Sequence, residues 1–320
     1  MSNTPLLGSI LNAVRVVGLD IGARGGFTTD LSAIGAAVEA IGFEPDAEEC
    51  DRLNAKADAR AAGLRALRYI PTAVGRAAEA RMLNLYRARG CTSLLTADAE
   101  FAALFAREDY FVLEGQVGVR VERLDDAAER FGFADAHFMK IDIQGAELEA
   151  MQSAPKLVSQ LLAIRSEVEF APLYVGQPLF ADVDAELRAK GFMLARFPQM
   201  HSWRRGTRVR GDRWAPGPVP LSEGQLIHGD VLYFRRPELM PASSDAERDR
   251  FIALALIAHA YGHVDLSAAI LAKSEVVERV RAIANVDPGA LVVELGAAHA
   301  ARRRRELRSA AIGGLRGLFR

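Results

Sequence analysis

An acidic residue followed by closely spaced glycines is the first part of this sequence whose residue types suggest chemistry. The apolar run 16–19 ends at Asp20, and the stretch 28–40 beyond the glycines permits a helix. Glycine tolerates positive φ and lets a ligand approach the backbone, and a helix N-terminus behind the loop would add unpaired N–H groups. This order of strand, loop and helix start predicts a site for a nucleotide-type ligand. The expected binding residues are Asp20, Gly22, Ala23, Gly25, Gly26 and Phe27.

The spacing of the glycines separates two classes of nucleotide site. A dinucleotide-binding fold uses Gly-x-Gly-x-x-Gly, whereas Asp20 is followed by Gly22, Gly25 and Gly26. The pattern Asp-x-Gly-x-x-Gly-Gly resembles motif I of S-adenosylmethionine (SAM)-dependent methyltransferases. That resemblance implies that Asp20 and the glycine backbone hold the methionyl part of SAM. The alternative is a glycine turn between a core strand and a helix, with no ligand.

A second acid, Glu44, follows the apolar stretch 37–43, and Pro45 ends that strand because proline cannot donate to a strand ladder. In doubly wound sheets an acid at the tip of the second strand, roughly 20 residues after the glycine loop, binds ribose hydroxyls. The position predicts this role for Glu44, and an ordinary loop residue is the alternative. After a third strand at 64–70, Ala73 and Val74 lie where a backbone amide would meet the adenine ring.

Two long excursions interrupt the predicted sheet. Residues 76–116 are more than a connector needs and form either a substrate wall or a mobile loop. The polar stretch 198–227 should shape access of the substrate. Between the two, residues 117–124 alternate as a partly exposed strand, and Asp125 is a candidate N-cap for a helix over 126–131. Helix formers also occupy 47–62.

Residues 140–147, Lys-Ile-Asp-Ile-Gln-Gly-Ala-Glu, carry the most specific motif. They resemble the Lys-Ile-Asp-x-x-Gly-x-Glu signature of the FkbM-type methyltransferase family, and further pieces of residues 16–236 follow that family's order. The resemblance implies a seven-stranded sheet with helices on both faces and a reversed terminal hairpin. Gln144 departs from the family, which more often has Glu there, and this weakens an acid–base role at that position.

The expected fold class is α/β, with a Rossmann-like doubly wound sheet of seven mostly parallel strands, a terminal antiparallel strand and a C-terminal helical appendage. We divide the chain into an N-terminal arm (1–15), a methyltransferase domain (16–240) and a helical extension with a basic tail (241–320). Helices at 246–260 and 267–284 either pack beneath the sheet or form a homodimer. The arginine-rich tail favours a frayed, solvated end, and contact with a membrane surface is the alternative.

Carboxylates at strand tips are the candidates for proton transfer, because ligands of open α/β sheets lie outside the carboxyl ends of the strands. Asp142 comes first as the base for a hydroxyl acceptor and is also expected among the cofactor-binding residues, and capping of the next helix is its alternative. Glu147 lies in a first helical turn, where a structural role is favoured. A buried unpaired carboxylate is costly, so Glu167 either has a partner such as Lys140 or faces the cleft. Lys140 is expected to pair with an acid in preference to anchoring the substrate.

The histidines divide into one expected core residue and two alternative bases. His137 interrupts an apolar strand and should be a satisfied core histidine, whereas His201 and His228 flank the late excursion. Because no His/Asp spacing is typical of metal ligation, the sequence predicts no metal.

Composition bounds the class of protein. The 320 residues are 50% hydrophobic and 25% charged with a net charge of −1, which indicates an ordinary soluble globular protein and gives no argument for a nucleic-acid partner. Two cysteines exclude a disulfide framework, so a reducing cytoplasm is expected. We expect neither secretion nor a transmembrane segment, because no leader pattern opens the sequence and the apolar runs are too short.

The combined patterns predict a SAM-dependent methyltransferase that acts on a hydroxyl of a sugar, glycan or secondary metabolite. An NAD(P)-dependent oxidoreductase is one alternative, although Asp20 and the glycine spacing argue against it. A non-catalytic cofactor-binding subunit of a biosynthetic complex is the other, against which the intact loop and Glu44 argue.

Overall fold

The main sheet brings the carboxyl ends of its parallel strands together on one side. In the computed structural model, which describes residues 5–205 and 223–318 and the side chains of 6–205 and 223–308, seven strands lie in the order β3-β2-β1-β7-β8-β10-β9. They are parallel except β10, which pairs antiparallel with both neighbours. Their bounds are β1 Val16–Ile21, β2 Val38–Phe43, β3 Ala66–Ile70, β7 Phe138–Ile141, β8 Ala163–Glu169, β9 Phe192–Trp203 and β10 Gln225–Arg235. The predicted seven-stranded, mostly parallel sheet is confirmed.

Strand register aligns charged residues across the middle of this sheet. Asp20 lies beside Lys140 in the β1–β7 pair, and Lys140 lies beside Arg165 in the β7–β8 pair. All six residues of β1 are buried, which is expected of a central parallel strand covered on both faces. Charges at this depth require partners. The register gives Asp20 an opposite charge in Lys140, whereas Arg165 finds its acids in Asp30 and Asp230.

The first excursion forms a second, three-stranded sheet. Its strands are β4 Ala73–Val74, β5 Glu79–Tyr86 and β6 Leu113–Glu122, in the order β4-β6-β5. The short helix α3, Ala99–Ala103, lies between β5 and β6. The alternating strand predicted at 117–124 is thus the second half of β6, and most of the excursion is strand-paired or helical.

The helix expected directly behind the glycine loop is a prediction that the structure overturns. Residues 28–40 contain only a 3₁₀ segment, Ser32–Ala37, before β2 begins at Val38. Gly35 lies so close to the Gly63 carbonyl that a Cβ would approach its oxygen to 2.3 Å. The 3₁₀ segment takes the place of the expected helix, and the Asp20 carboxylate accepts the backbone N–H of Thr28 at 2.7 Å.

Two other helix predictions need correction. The helix expected over 47–62 is α2, Ala47–Lys56, which ends earlier. The helix α4, Leu124–Phe131, starts with Arg123 as its N-cap. The Asp125 carboxylate instead accepts the N–H groups of Lys156 and Leu157 at 3.1 and 2.9 Å, so it satisfies orphan donors at the start of α6, Pro155–Gln160. The other helices of this region are α5, Glu147–Gln152, and α7, Phe180–Ala189.

The C-terminal extension packs against one face of the main sheet, as one of the two expectations had it. Its helices are α8 Asp245–Ala260, α9 Val264–Leu271, α10 Ser274–Ala284 and α11 Pro288–Leu318. Ten consecutive residues of α8, 251–260, are buried, in one cluster with Phe138, Leu232 and Phe234 of the sheet and with the N-terminal helix α1, Pro5–Ala13.

The extension departs from the sequence prediction in two places. The helix expected over 267–284 is divided into α9 and α10, and α11 begins at Pro288. Proline suits a first helical position because its missing N–H would be unpaired there anyway. The tail is helical to Leu318, so the prediction of a frayed end was wrong.

The late excursion is shorter than predicted, because β9 continues to Trp203 and β10 starts at Gln225. Residues 206–222, which make up most of the predicted polar insertion, lie outside the described residues. No described helix is long and apolar enough to cross a membrane.

Candidate active site

A cavity of about 530 Å³ lies at the carboxyl ends of β1, β2 and β7, with Arg165 of β8 also in its lining. This is within the size range of small-molecule sites and at the sheet edge where such sites occur. The structure brings most of the predicted residues to it. The predicted residues that line the cavity are Asp20, Gly22, Gly26, Glu44, Ala73, Val74, Lys140 and Asp142.

Five predicted site residues do not line this cavity. Ala23 packs with Cys50 and Leu53 behind the loop, and Gly25 has open space on its Cβ side. Phe27 donates its backbone N–H to the Tyr69 hydroxyl. The other two, Glu147 and Glu167, lie behind the lining.

The glycine loop is held by close backbone contacts. Gly22 has φ +89°, and a Cβ on it would lie 2.0 Å from the backbone oxygen of Asp142. Any other residue would therefore separate the loop from the end of β7. The backbone N–H groups of Gly22 and Ala23 both donate to the Phe43 carbonyl, at 3.1 and 2.8 Å, which fixes the loop to the end of β2.

Lys140 connects the acids of the two central strands. Its Nζ lies 3.3 Å from Asp20 and 3.6 Å from Asp142, so the predicted pairing with an acid is confirmed. Burial raises the pKa of Asp20 even though Lys140 opposes this change. Burial would also raise the pKa of Asp142, but Lys140 and hydrogen bonds with Glu167 and Gln144 bring it below its ordinary value. Asp142 is therefore the acid kept ionised at the cavity wall.

Glu44 occupies the position predicted for a ribose ligand. It is 3% exposed and lines the cavity, and its Oε1 accepts the backbone N–H of Asp46 at 3.0 Å. Burial raises the pKa of Glu44. The alternative of an exposed loop residue is therefore wrong.

Gln144 organises the acids, a role that sequence reasoning missed. It has φ +58°, and its amide nitrogen donates to Asp142 at 3.0 Å and to Glu167. Its amide oxygen accepts the Tyr174 hydroxyl at 2.9 Å. A glutamate here would carry no N–H to offer the two carboxylates.

Glu147 holds the loop between β7 and α5. Its two oxygens accept the backbone N–H groups of Ile143 at 2.7 Å and of Gly145 at 2.9 Å. Burial raises the pKa of Glu147 to about 7. Ala146 is the N-cap of α5 and makes no side-chain bond, so the alternative in which Asp142 caps this helix is wrong.

Glu167 is paired with a histidine, and not with Lys140 as one alternative had it. Its Oε1 lies 3.1 Å from Nδ1 of His228, whose ring stacks on His201 at 4.6 Å between centroids. Burial and then Asp142 raise the pKa of Glu167, whereas burial and then His201 lower the pKa of His228. These directions favour a protonated Glu167 beside a neutral imidazole.

Three carboxylates come close together in this region. Asp142, Glu147 and Glu167 each offer an oxygen within 4.8 Å of the others, although nothing in their sequence spacing suggests metal ligation. Both oxygens of Glu147 already accept backbone bonds, and shared protons relieve like charges at such distances. That the site works without a metal stays a prediction.

His137 is the core histidine that the sequence predicts. Its Nδ1 accepts the backbone N–H of Val17 at 3.1 Å, and burial lowers its pKa to about 4.

The excursion 76–116 supplies a wall of the cavity. Leu83, Arg89, Thr92 and Leu94 line it opposite the glycine loop. Arg165 also lines the cavity, although it sits in a strand that reads as near-continuously apolar. Its position two residues before Glu167, hence on the same face of β8, was the available signal.

Comparison with known proteins identifies the class. Residues 20–194 match the family described as the methyltransferase FkbM domain, which is more than half of the chain, so this protein belongs to the FkbM methyltransferase family. The glycine loop, Glu44 and the 140–147 motif fall within the match, whereas β10 and the C-terminal helices lie beyond it.

The other comparisons add little. One solved structure found to be similar is Sp1610 of Streptococcus pneumoniae, a putative tRNA (m1A22) methyltransferase, at 9% identity over 94% of this chain and 99% of that one, with a TM-score of 0.27. Among curated proteins no significant match was found.

Proposed function

We propose that this protein is a SAM-dependent methyltransferase that methylates a hydroxyl oxygen of a sugar, a glycan or another small metabolite. One observation carries the proposal. In a chain of the FkbM family, the acid–glycine loop, Glu44 and Asp142 all line one cavity at the carboxyl ends of adjacent strands.

The residues around the cavity fit SAM. Gly22 leaves no room for a Cβ, Glu44 offers a buried carboxylate for ribose hydroxyls, and Ala73 and Val74 offer backbone groups and a small apolar surface for the adenine. Asp20 and Lys140 present opposite charges for the amino and carboxylate groups of the methionyl end. When bound, SAM supplies an electrophilic methyl group on a sulfonium.

The acceptor side of the reaction is assigned to Asp142 and the groups behind it. Asp142 is ionised and half-exposed at the cavity wall, so it accepts the proton that the acceptor hydroxyl loses. Lys140 and Gln144 orient its carboxylate. The Glu167–His228 pair lies next to it and offers a route for the proton away from the site. Glu147 acts only by positioning the loop 143–146.

The test of the cofactor assignment is calorimetric titration with S-adenosylhomocysteine, with NAD in parallel. The wild type should bind the first and not the second. Glu44→Gln should weaken binding by roughly 10- to 100-fold, because a hydrogen bond to a charged group contributes about 1.5–3 kcal/mol. Glu48→Gln is the matched control, since Glu48 is an exposed acid four residues further on.

The outcomes separate the alternatives. An unchanged dissociation constant for Glu44→Gln would contradict the ribose assignment, and binding of NAD alone would favour an oxidoreductase. Binding of S-adenosylhomocysteine must then be followed by transfer of a labelled methyl group from SAM to a panel of hydroxylated acceptors. Transfer to nitrogen acceptors only would contradict O-methylation.

A further inference from the structure

A second cavity, of about 420 Å³, adjoins the first one. Thr29, Asp30 and Arg165 line both cavities, so they form the wall between the two. The second cavity is completed by Arg196 of β9 and by residues of the C-terminal extension. It therefore exists only because the extension packs against the sheet.

The side chains around this second cavity carry an excess of positive charge. Among the described lining residues are four arginines, 165, 196, 302 and 303, and only two acids. Both acids are already engaged. Asp30 accepts from Arg165 and from the Tyr261 hydroxyl, and Glu306 pairs with Arg303 at 2.6 Å and, more weakly, with Arg302 at 4.0 Å.

Two guanidinium groups have hydrogen-bonding capacity that no described residue uses. Arg196 forms no ion pair within the described part of the chain. Arg165 donates through its two terminal nitrogens to Asp30 and Asp230, but its buried Nε has no partner among the residues that the structure describes. Because that Nε is buried, it is closed to a ligand in the cavity, and the accessible unused donors are those of the exposed Arg196.

The cations around the cavity also destabilise one another. Burial lowers the pKa of Arg302, Glu306 opposes this, and Arg303 and Arg196 lower it further. His299, which also lines the cavity, has its pKa lowered by burial and then by Arg302 and Arg303. An anion placed among these groups would relieve the repulsion.

We propose that this cavity binds the phosphate or diphosphate group of a small molecule. Guanidinium groups bind phosphate oxygens through paired, charge-assisted hydrogen bonds, and several of them converge here from separate elements. The cavity of about 420 Å³ has room for one or two phosphate groups. The anion site stands on these residues alone. That the phosphate belongs to the methyl acceptor, held beside the transfer site through the shared wall, rests on the proposed function.

Calorimetric titration of the full chain with inorganic phosphate and with diphosphate tests the site, with sodium chloride at matched ionic strength as the reference. We expect saturable binding of one diphosphate, tighter than phosphate. Arg196→Gln should weaken the binding at least tenfold, because it removes one of the cations that line the cavity. Since Arg196 has no described ion pair, the variant should leave the fold unchanged. Arg302→Gln should do the same, although it also loses a bond to the His259 carbonyl.

The matched control is Arg304→Gln, an exposed arginine of the same helix that does not line the cavity. It should leave the dissociation constant within twofold. An equal loss in all three variants would mean non-specific charge attraction and would overturn the proposal, as would the absence of saturable binding to the wild type. Loss of diphosphate binding in the presence of saturating S-adenosylhomocysteine would place the anion in the first cavity and also overturn it.

Kinetics then distinguish the source of the phosphate. The methyl acceptors to be assayed are hexoses, their phosphates and their nucleoside diphosphate derivatives. If added diphosphate inhibits methyl transfer in competition with the acceptor, the acceptor is phosphorylated. Diphosphate that changes the rate without competing indicates a free effector. If no acceptor is methylated, the proposed function fails while the titration still decides the anion site.

Discussion

The two neighbouring cavities differ in how their charges are balanced. Among the described residues the first is lined by four acids and four bases, and the second by two acids and four arginines. Lys140 lies between Asp20 and Asp142 in the first, whereas Arg196 has no described ion partner in the second. Internal pairing fixes a geometry before any ligand arrives, and an unbalanced set leaves charge for the ligand to neutralise.

The cavities also differ in origin. All the described residues that line the first cavity lie within 20–194, the stretch that matches the FkbM family. The second takes Arg196, Arg302 and Arg303 from beyond that stretch. The comparison therefore predicts that variants at the first cavity alter methyl transfer itself, and that variants at the second alter which molecules are accepted or how the rate is regulated.

The largest effect is expected from Gly22→Ala. The new Cβ would lie 2.0 Å from the Asp142 backbone oxygen at a residue with φ +89°, so strain and overpacking together should cost roughly 2–5 kcal/mol of unfolding free energy. Binding of S-adenosylhomocysteine should be lost, as measured by calorimetry, and the unfolding midpoint should fall.

Gly63→Ala is the matched control for backbone strain alone. Gly63 also has positive φ, +68°, but its Cβ would meet nothing within 4 Å. The Gly63→Ala variant should lose only about 1 kcal/mol of unfolding free energy and keep its affinity for S-adenosylhomocysteine. Equal losses of stability in the two variants would contradict the close packing of loop and strand as the cause.

The next effect concerns rate. Asp142→Asn keeps the size of the side chain but cannot accept a proton, so kcat for methyl transfer should fall roughly 10²- to 10⁴-fold. The dissociation constant for S-adenosylhomocysteine should change little, because Asp142 is placed on the acceptor side. Steady-state kinetics with a labelled methyl donor give the first quantity and calorimetry the second. Unaltered turnover would remove Asp142 as the base and direct attention to His228.

The difference between the cavities also shows how far the sequence can be interpreted. Residues at strand ends were predictable, because apolar runs end at Asp20, Glu44 and Asp142 and parallel strands bring their carboxyl ends to one edge. The bridging role of Gln144 was missed, because it comes from an amide that donates to two acids, which no spacing reveals. The prediction of a helix behind the glycine loop was wrong, because that segment packs at Gly35 on the backbone carbonyl of Gly63, a contact that local sequence does not reveal.

The second cavity was not predictable from the sequence. No sequence pattern singled out Arg165, and the arginines of α11 were expected in a frayed, solvated tail. Their proximity depends on how α11 packs against α1, α9 and α10, which is a matter of tertiary packing. Only the apolar character of residues 251–260 indicated that the extension had a buried face.

A pH-dependent effect compares the histidines of the two regions. Burial lowers the pKa of His137 in the sheet and of His259 in the extension to about 4. Between pH 6.5 and 4 the unfolded chain binds these protons and the folded chain does not, so the unfolding free energy should decrease as the pH is lowered through this range, by roughly 3 kcal/mol for each group. Denaturant unfolding at several pH values measures this slope.

Substitution separates the two histidines. His259→Leu should remove its share of the slope, and no side-chain hydrogen bond at Nδ1 is lost, since that atom has no partner among the described residues. His137→Gln should also flatten the slope, but it should lower stability at pH 7 because Nδ1 of His137 accepts the N–H of Val17. An unchanged slope in either variant would show that its histidine does not titrate in this range.

The smallest effect, from Tyr261→Phe, tests whether the extension is part of the wall between the cavities. The Tyr261 hydroxyl donates to Asp30, which also accepts from Arg165, and the residue is 8% exposed. Removing one hydrogen bond to a buried charged group should cost about 1–2 kcal/mol in chemical denaturation. Tyr110→Phe is the control, since its hydroxyl bonds Arg107 at an exposed position and should contribute about 0.5 kcal/mol or less. A loss of unfolding free energy no larger than in the control would mean that Asp30 and Arg165 hold the wall in place without help from the extension. The extension would then lie beside the wall without stabilising it.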